Sequence, residues 1–153
     1  IPEVQLLSNG RYHVMVTNAG GGSSRWKDLA VTRWREDSTR DNWGTFCYIR
    51  DTDRADFWST AHQPTATRPT HYEAIFTEAR AEFRRRDHDF ESHTEIVVSP
   101  EDDIELRVAV VVLGVDLFTR SRQVLLDGPH VFGLIRSDSP LLEFSHDFCK
   151  LPL

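Results

Sequence analysis

Cysteine is scarce, with Cys47 and Cys149 the only two in 153 residues. Two cannot build the multi-bridge framework of a small secreted domain, and no C-x-x-C occurs. One long-range disulfide and a pair of reduced thiols in a cytosolic chain both fit that count. Long hydrophobic runs are missing too. The longest, Val108 to Val115, is strand-sized, far short of the ~20 residues a membrane helix needs. No signal peptide is visible. A chain that opens Ile1-Pro2 rather than with Met is expected to be processed or to be a piece of something longer. Positive charge is in deficit, with a formal net charge of -6 and a pI near 5.6. A nucleic-acid binder needs a cationic surface, so that class is excluded. The local run Arg84-Arg85-Arg86 is followed at once by Asp87, Asp89 and Glu91, and reads as a solvated strand face. His13, His62, His71, His88, His93, His130 and His146 show no H-x-x-x-H or H-E-x-x-H spacing, so no zinc-ligand pattern emerges. Whether His71, His88 and His93 meet in space is not readable from spacing. No G-x-S-x-G elbow supports a hydrolase triad.

What is present is β-forming. Hydrophobic residues make up 39% and charged ones 27%, the composition of a folded chain with one core. Val4 and Leu6, then Tyr12, Val14 and Val16, alternate with polar residues around Ser8-Asn9-Gly10. Asn-Gly between alternating runs predicts a hairpin with positive φ at both turn positions. Further short runs fall at Leu29–Trp34, Thr45–Arg50, Phe57–Thr60, Phe90–Val98 and Ile104–Leu113, with polar turns between. Glu73 to Arg86 fits a helix through Ile75, Ala79 and Phe83, but the alternation of Tyr72, Ala74 and Phe76 favours two strands. Val124–Leu126 and Val131–Ile135 read as strands, and residues 137–153 as an irregular tail. The expected fold is all-β, an antiparallel β-sandwich forming a single domain over 1–153. Asn18 to Ser24 is Gly-rich. Without a following Gly-Lys-Ser/Thr it is no phosphate loop, and it reads as a flexible connector, its other use being close approach of the backbone to a ligand.

The chemically suggestive cluster is aromatic and charged. Trp26, Trp34, Trp43 and Trp58 fall in one third of the chain, interleaved with Arg25, Arg33, Arg35, Asp37, Arg40, Asp41, Arg50 and Asp51. Indole faces can cover the apolar face of a sugar ring, while carboxylates and guanidinium forks hydrogen-bond its hydroxyls. The competing reading puts the tryptophans in the core and the charges on its rim. Asp41 with Asp51, or Asp102 with Asp103, are paired carboxylates by residue type only, and no catalytic role is assigned to them.

The stretch PEVQLLSNGRYHVMVTNAGGGSSRWKDLAVTRWREDSTRDNWGTFCYIRD is long enough to carry a resemblance, continued by FWSTAHQPT, HYEAIFTEARAEFRRRDH and ESHTEIVVSPEDDIELR. Residues 2–107 resemble the N-terminal β-sandwich of family 94 glycoside phosphorylases, formerly glycosyltransferase family 36, and within it the phosphorylase-like region of cyclic β-1,2-glucan synthases. The resemblance implies a supersandwich similar to galactose mutarotase. It also implies a helical-barrel catalytic domain as partner, β-glucan oligosaccharide as ligand, and transfer or phosphorolysis chemistry that needs no metal or organic cofactor. The barrel carries the acid, so this chain is expected to be inactive alone, in a cytoplasmic setting or tied to a membrane-anchored parent. Carried residue by residue, the saccharide-facing candidates are Trp26, Arg33, Trp34, Asp41, Arg50, Asp51, Trp58 and Gln63. Gly22, Ser24, Gly44, Ser59 and Pro64 match as well. Past Arg107 the pattern departs, and 108–153 form a divergent region of strands and tail. A sandwich left open there exposes an edge, which invites a homo-oligomer. Two other functions stay in play: a structural and oligomerisation domain without sugar binding, and a stand-alone mutarotase-like enzyme, which needs a positioned His–Glu pair.

Overall fold

The computed structural model describes residues 1–35, 39 and 41–114 in full, and the backbone of 123–127 and 133–136. Among these residues every regular element is a strand and all pairing is antiparallel. The all-β expectation therefore holds. β1 (Val4–Ser8), β2 (Tyr12–Thr17), β3 (Gly22–Trp26) and β4 (Leu29–Ala30) form the first sheet in that order. β7 (His71–Phe76), β8 (Arg80–Asp87), β9 (Phe90–Val98) and β10 (Glu105–Leu113) form a long second sheet. The third is built from β5 (Tyr48–Asp51), β6 (Asp56–Ser59), β11 (Gln123–Asp127) and β12 (Gly133–Arg136), ordered β12-β11-β5-β6.

Side chains alternate across a strand, so each sheet has an inner and an outer face. The long sheet turns Tyr72, Ala74, Phe76, Ala81, Phe83 and Ile96 onto Leu7, Tyr12, Val14 and Val16 of the first sheet. Further along, its Phe90 and Val111 meet Ile49 and Trp58 of the third. One sheet is thus the shared floor of two apolar clusters. Trp58 sits in the second cluster at 1% exposure, edge-on to Phe90 with centroids 5.4 Å apart.

Three local expectations are corrected. The hairpin turn is shifted by one residue. Asn9 N–H donates to Tyr12 O at 3.3 Å, and only Gly10, at φ +88°, is left-handed. That is positive φ at one central position only, not at both as the Asn-Gly type I′ turn requires. The Leu29–Trp34 run pairs only at Leu29 and Ala30. Beyond them, the N–H groups of Val31 and Thr32 both donate to Ser24 O, a two-against-one arrangement that ends the ladder as a bulge does. Finally, Arg84 and Arg86 are solvated but Arg85 between them is not, with 0% side-chain exposure. It lies on the inner face with Phe83 and Asp87. Residues 137–153, read as a tail, lie outside the described residues.

Candidate functional site

Three loops converge at one end of the first sheet, and the glycines explain why. Gly20, Gly21 and Gly22 are all buried. A Cβ on Gly20 would lie 2.2 Å from the Ala61 Cβ, one on Gly21 2.2 Å from Asp41 Oδ1, and one on Gly22 2.1 Å from Met15 O. Gly20 also holds φ at +92°, a conformation in which a side chain is disfavoured. The segment read as a flexible connector is therefore a contact point, where the chain's own loops approach the backbone.

The first arriving loop is 41–47. Trp43 O accepts from Gly22 N–H at 2.7 Å, the Thr17 hydroxyl donates to Asp41 Oδ2, and the Arg35 guanidinium lies 5.8 Å over the Trp43 ring. The second is 60–70, where Gln63 N–H donates to Ala19 O at 2.8 Å. Beneath it, Arg85 donates to Ala61 O at 2.5 Å and Thr67 O at 3.1 Å, and grips both oxygens of Asp87 at 2.6 and 2.9 Å. This buried fork fixes the loop from the core side. Tyr72 completes the end by donating its hydroxyl to Asn18 O at 2.7 Å. Burial pushes the Tyr72 hydroxyl up to about 12, so it is a neutral donor at physiological pH. His62 lies 6.4 Å from its ring.

Among the described residues, Asp41 Oδ1 is a buried oxygen with no hydrogen-bond partner. Buried polar atoms are nearly always satisfied, so this carboxylate has capacity left for a donor.

Of the eight residues singled out from sequence, Asp41 and Gln63 meet at this glycine end. The other six do not join them. Trp26, at the far end of β3, donates its indole N–H to Asp103 Oδ2 at 2.7 Å under the Lys27 ammonium. Trp34 is 40% exposed, and Arg33 beside it and Arg50 on β5 are exposed. Asp51 and Trp58, each 1% exposed, offer no surface to a sugar. Asp51 instead closes the β5–β6 turn, accepting from Asp53 N–H, Arg54 N–H and the Arg54 guanidinium. Burial works to raise its pKa, but those bonds outweigh it and hold the carboxyl below its ordinary value. The tryptophans are therefore divided between core and surface. Sequence reasoning missed Thr17, Asn18, His62 and Tyr72. The glycine run was the one available signal, because three adjacent glycines beside a strand mark a close approach.

The fold and the loop cluster fit a family match. The supersandwich domain of glycosyl hydrolase 94 matches residues 1–112, and the chain belongs to that family. Among curated relatives, it is 35% identical over 148 residues to the cyclic beta-(1,2)-glucan synthase NdvB of Rhizobium meliloti (strain 1021), covering 97% of this chain and 5% of that protein. It is 30% identical over 88 residues to the N,N'-diacetylchitobiose phosphorylase of Vibrio furnissii, covering 54% of this chain and 11% of that protein. The chain thus spans a small part of either relative's length. The synthase alignment runs well past Arg107, into the stretch where the sequence motifs depart from the family pattern.

Proposed function

We propose that the chain serves as the accessory sandwich domain of a cytoplasmic β-glucan-processing enzyme, a transferase or phosphorylase. In this reading it supplies saccharide contacts beside a helical-barrel catalytic domain and has no catalytic group of its own. The match of residues 1–112 to the family carries the reading. The sugar-facing part falls to the glycine end, where Asp41 Oδ1 lacks a donor among the described residues and Gln63 stands beside Ala19. Sugar hydroxyls are donors such a carboxylate takes, and because Asp41 Oδ1 is buried this reading has loop 41–47 lift from the glycines to admit them.

Titration of the 153-residue chain with β-1,2-gluco-oligosaccharides, followed by tryptophan fluorescence, tests it. The expected result is saturation in the millimolar range, weakened about tenfold by Asp41→Ala, the scale of one lost charge-assisted hydrogen bond. An unchanged spectrum from a folded chain removes direct binding.

A second reading, an oligomerisation domain, has its own observation. β10 is an edge strand among the described residues, and Leu106, Val108, Val110 and Val112 are exposed on one side of it. Long apolar edges invite pairing with another chain. Light scattering separates the two, since that reading requires a dimer at micromolar concentration with or without saccharide.

A further inference from the structure

The outer face of the long sheet carries a cluster that the saccharide reading leaves aside. His93 and Glu95, two residues apart on β9, point to the same face. The register sets Glu82 of β8 directly opposite Glu95 and diagonal to His93. Directly opposed side chains lie close, diagonal ones stay within reach, and like charges directly opposed are destabilising. Here one of the opposed carboxylates, Glu82, is 2% exposed, so its charge cannot simply turn into water.

His93 Nε2 lies 3.2 Å from Glu82 Oε2 and 3.6 Å from Glu95 Oε1. One ligand atom from each of the three falls within 4.8 Å of the others. Bonds to zinc of about 2.0–2.2 Å at tetrahedral angles place neighbouring ligand atoms roughly 3.3–3.5 Å apart, and the two measured separations bracket that span. Arg80 binds the other oxygen, Glu82 Oε1, at 2.5 Å. It orients the carboxylate from outside the cluster, as an outer-shell partner orients a metal ligand, and leaves Oε2 toward His93. Arg84 reaches Oε2 at 3.4 Å, a contact that a cation would displace at small cost.

We propose that Glu82, His93 and Glu95 form a three-ligand site for a divalent transition-metal ion of the zinc class, bridging β8 and β9. One imidazole and two carboxylates suit a borderline ion. Magnesium and calcium favour six or more oxygens, which this cluster does not offer. The fourth position faces outward. A depression of about 400 Å³ adjoins His93, also lined by His71, Arg84, Arg86, Val110 and Val112. The site is separate from the glucan chemistry that the family resemblance implies, which needs no metal. Its role is to tie Glu82 of β8 to His93 and Glu95 of β9 and so pin the register of the sheet.

Isothermal titration of zinc into the chelator-treated 153-residue chain near neutral pH tests the assignment. One saturable site is expected, with affinity falling at least about tenfold in His93→Ala and Glu95→Gln, the loss typical of a removed metal contact. His88→Ala should bind as the parent does, because His88 pairs with Asp56 and Trp58 instead. Magnesium should give no saturable heat. Glu95 is half-exposed, so its variant should fold even where a Glu82 variant does not, and circular dichroism checks this. Absence of saturable zinc binding by the folded parent, or unchanged binding in folded His93→Ala, overturns the proposal.

Discussion

The two ends of the first sheet solve the same problem, holding a sheet to its neighbour, in opposite ways. At the turn end, Asn9 donates to Ser99 O and Asp102 O, Arg11 to Asp103 and Glu101 O, and the Trp26 indole to Asp103. These bonds clasp the β1–β2 turn onto the β9–β10 turn at the surface, with Arg11 and Asp103 side chains 53% and 28% exposed. At the glycine end the fastening is internal. Arg85 holds loop 60–70 from within the core, and Gly20 packs on Ala61. Surface ion pairs contribute about 0–1 kcal/mol each, whereas breaking a buried pair costs about 3–5 kcal/mol. The clasp is therefore many weak ties, with both Asp103 oxygens engaged. The glycine end is a few strong ties, with one buried Asp41 oxygen left without a donor among the described residues.

Arg85 sharpens this contrast most. Arg85→Ala strands Asp87 and two carbonyls in the interior, and should cost about 3–5 kcal/mol, or roughly 6–20 °C in thermal melts. Arg84→Ala and Arg86→Ala, one residue to either side, should stay within about 0.5 kcal/mol. Three equal losses would mean that the guanidinium is not the internal anchor.

Gly20 follows. Gly20→Ala adds left-handed strain of about 1–2 kcal/mol to overlap with Ala61 of about 1–3 kcal/mol, so roughly 2–5 kcal/mol in urea denaturation is expected. Gly10 is the matched control at the other end. It has a similar φ but nothing within 4 Å of a built Cβ, and Gly10→Ala should cost only the strain, about 1–2 kcal/mol.

The clasp should be softer and sensitive to acid. The Trp26 hydrogen bond, with Arg11 adding to it, holds the Asp103 carboxyl below its ordinary value against the opposing effect of burial. A depressed folded pKa contributes stability that is present above the unfolded value and lost as pH falls through the folded one. Melting temperature should therefore drop as pH falls below about 4, less steeply in Asp103→Asn than in the parent. At pH 7, Trp26→Phe should cost about 1 kcal/mol. Identical acid slopes in parent and Asp103→Asn would remove the clasp as an electrostatic device.

Much of the fold was legible because alternation is local. The β1–β2 and β9–β10 hairpins, and the two strands in place of a helix over residues 71–87, follow from period-two patterns. The site was less legible, since its contacts are remote and chemically silent in sequence. Gly20 meets Ala61 forty-one positions away, and no local pattern carries that pairing. Arg85 hid in a run of three arginines, where a hydrophobicity pattern is blind. Its one clue was Asp87 two residues on, an opposite charge on the same strand face. Counting tryptophans misled because Trp58 and Trp34 look alike in sequence and differ only in which sheet face or loop receives them.

Asp41 gives the smallest stability effect and the most direct test of what the glycine end is for. A residue retained for structure resembles Asp103, with each oxygen engaged and a loss felt in the melt. Asp41 has one oxygen held by Thr17 and one with no donor among the described residues. Asp41→Asn keeps an acceptor for Thr17 while removing the charge, so stability should change by no more than about 0.5 kcal/mol. Affinity for β-1,2-gluco-oligosaccharide should fall about tenfold, since a charge-assisted acceptor is stronger than a neutral one. The opposite outcome, a loss above about 2 kcal/mol with saccharide affinity unchanged, would place Asp41 with Asp103 as a fastening. The two ends would then differ in strength but not in purpose, and the saccharide contacts would have to be sought at Trp34 and Arg33.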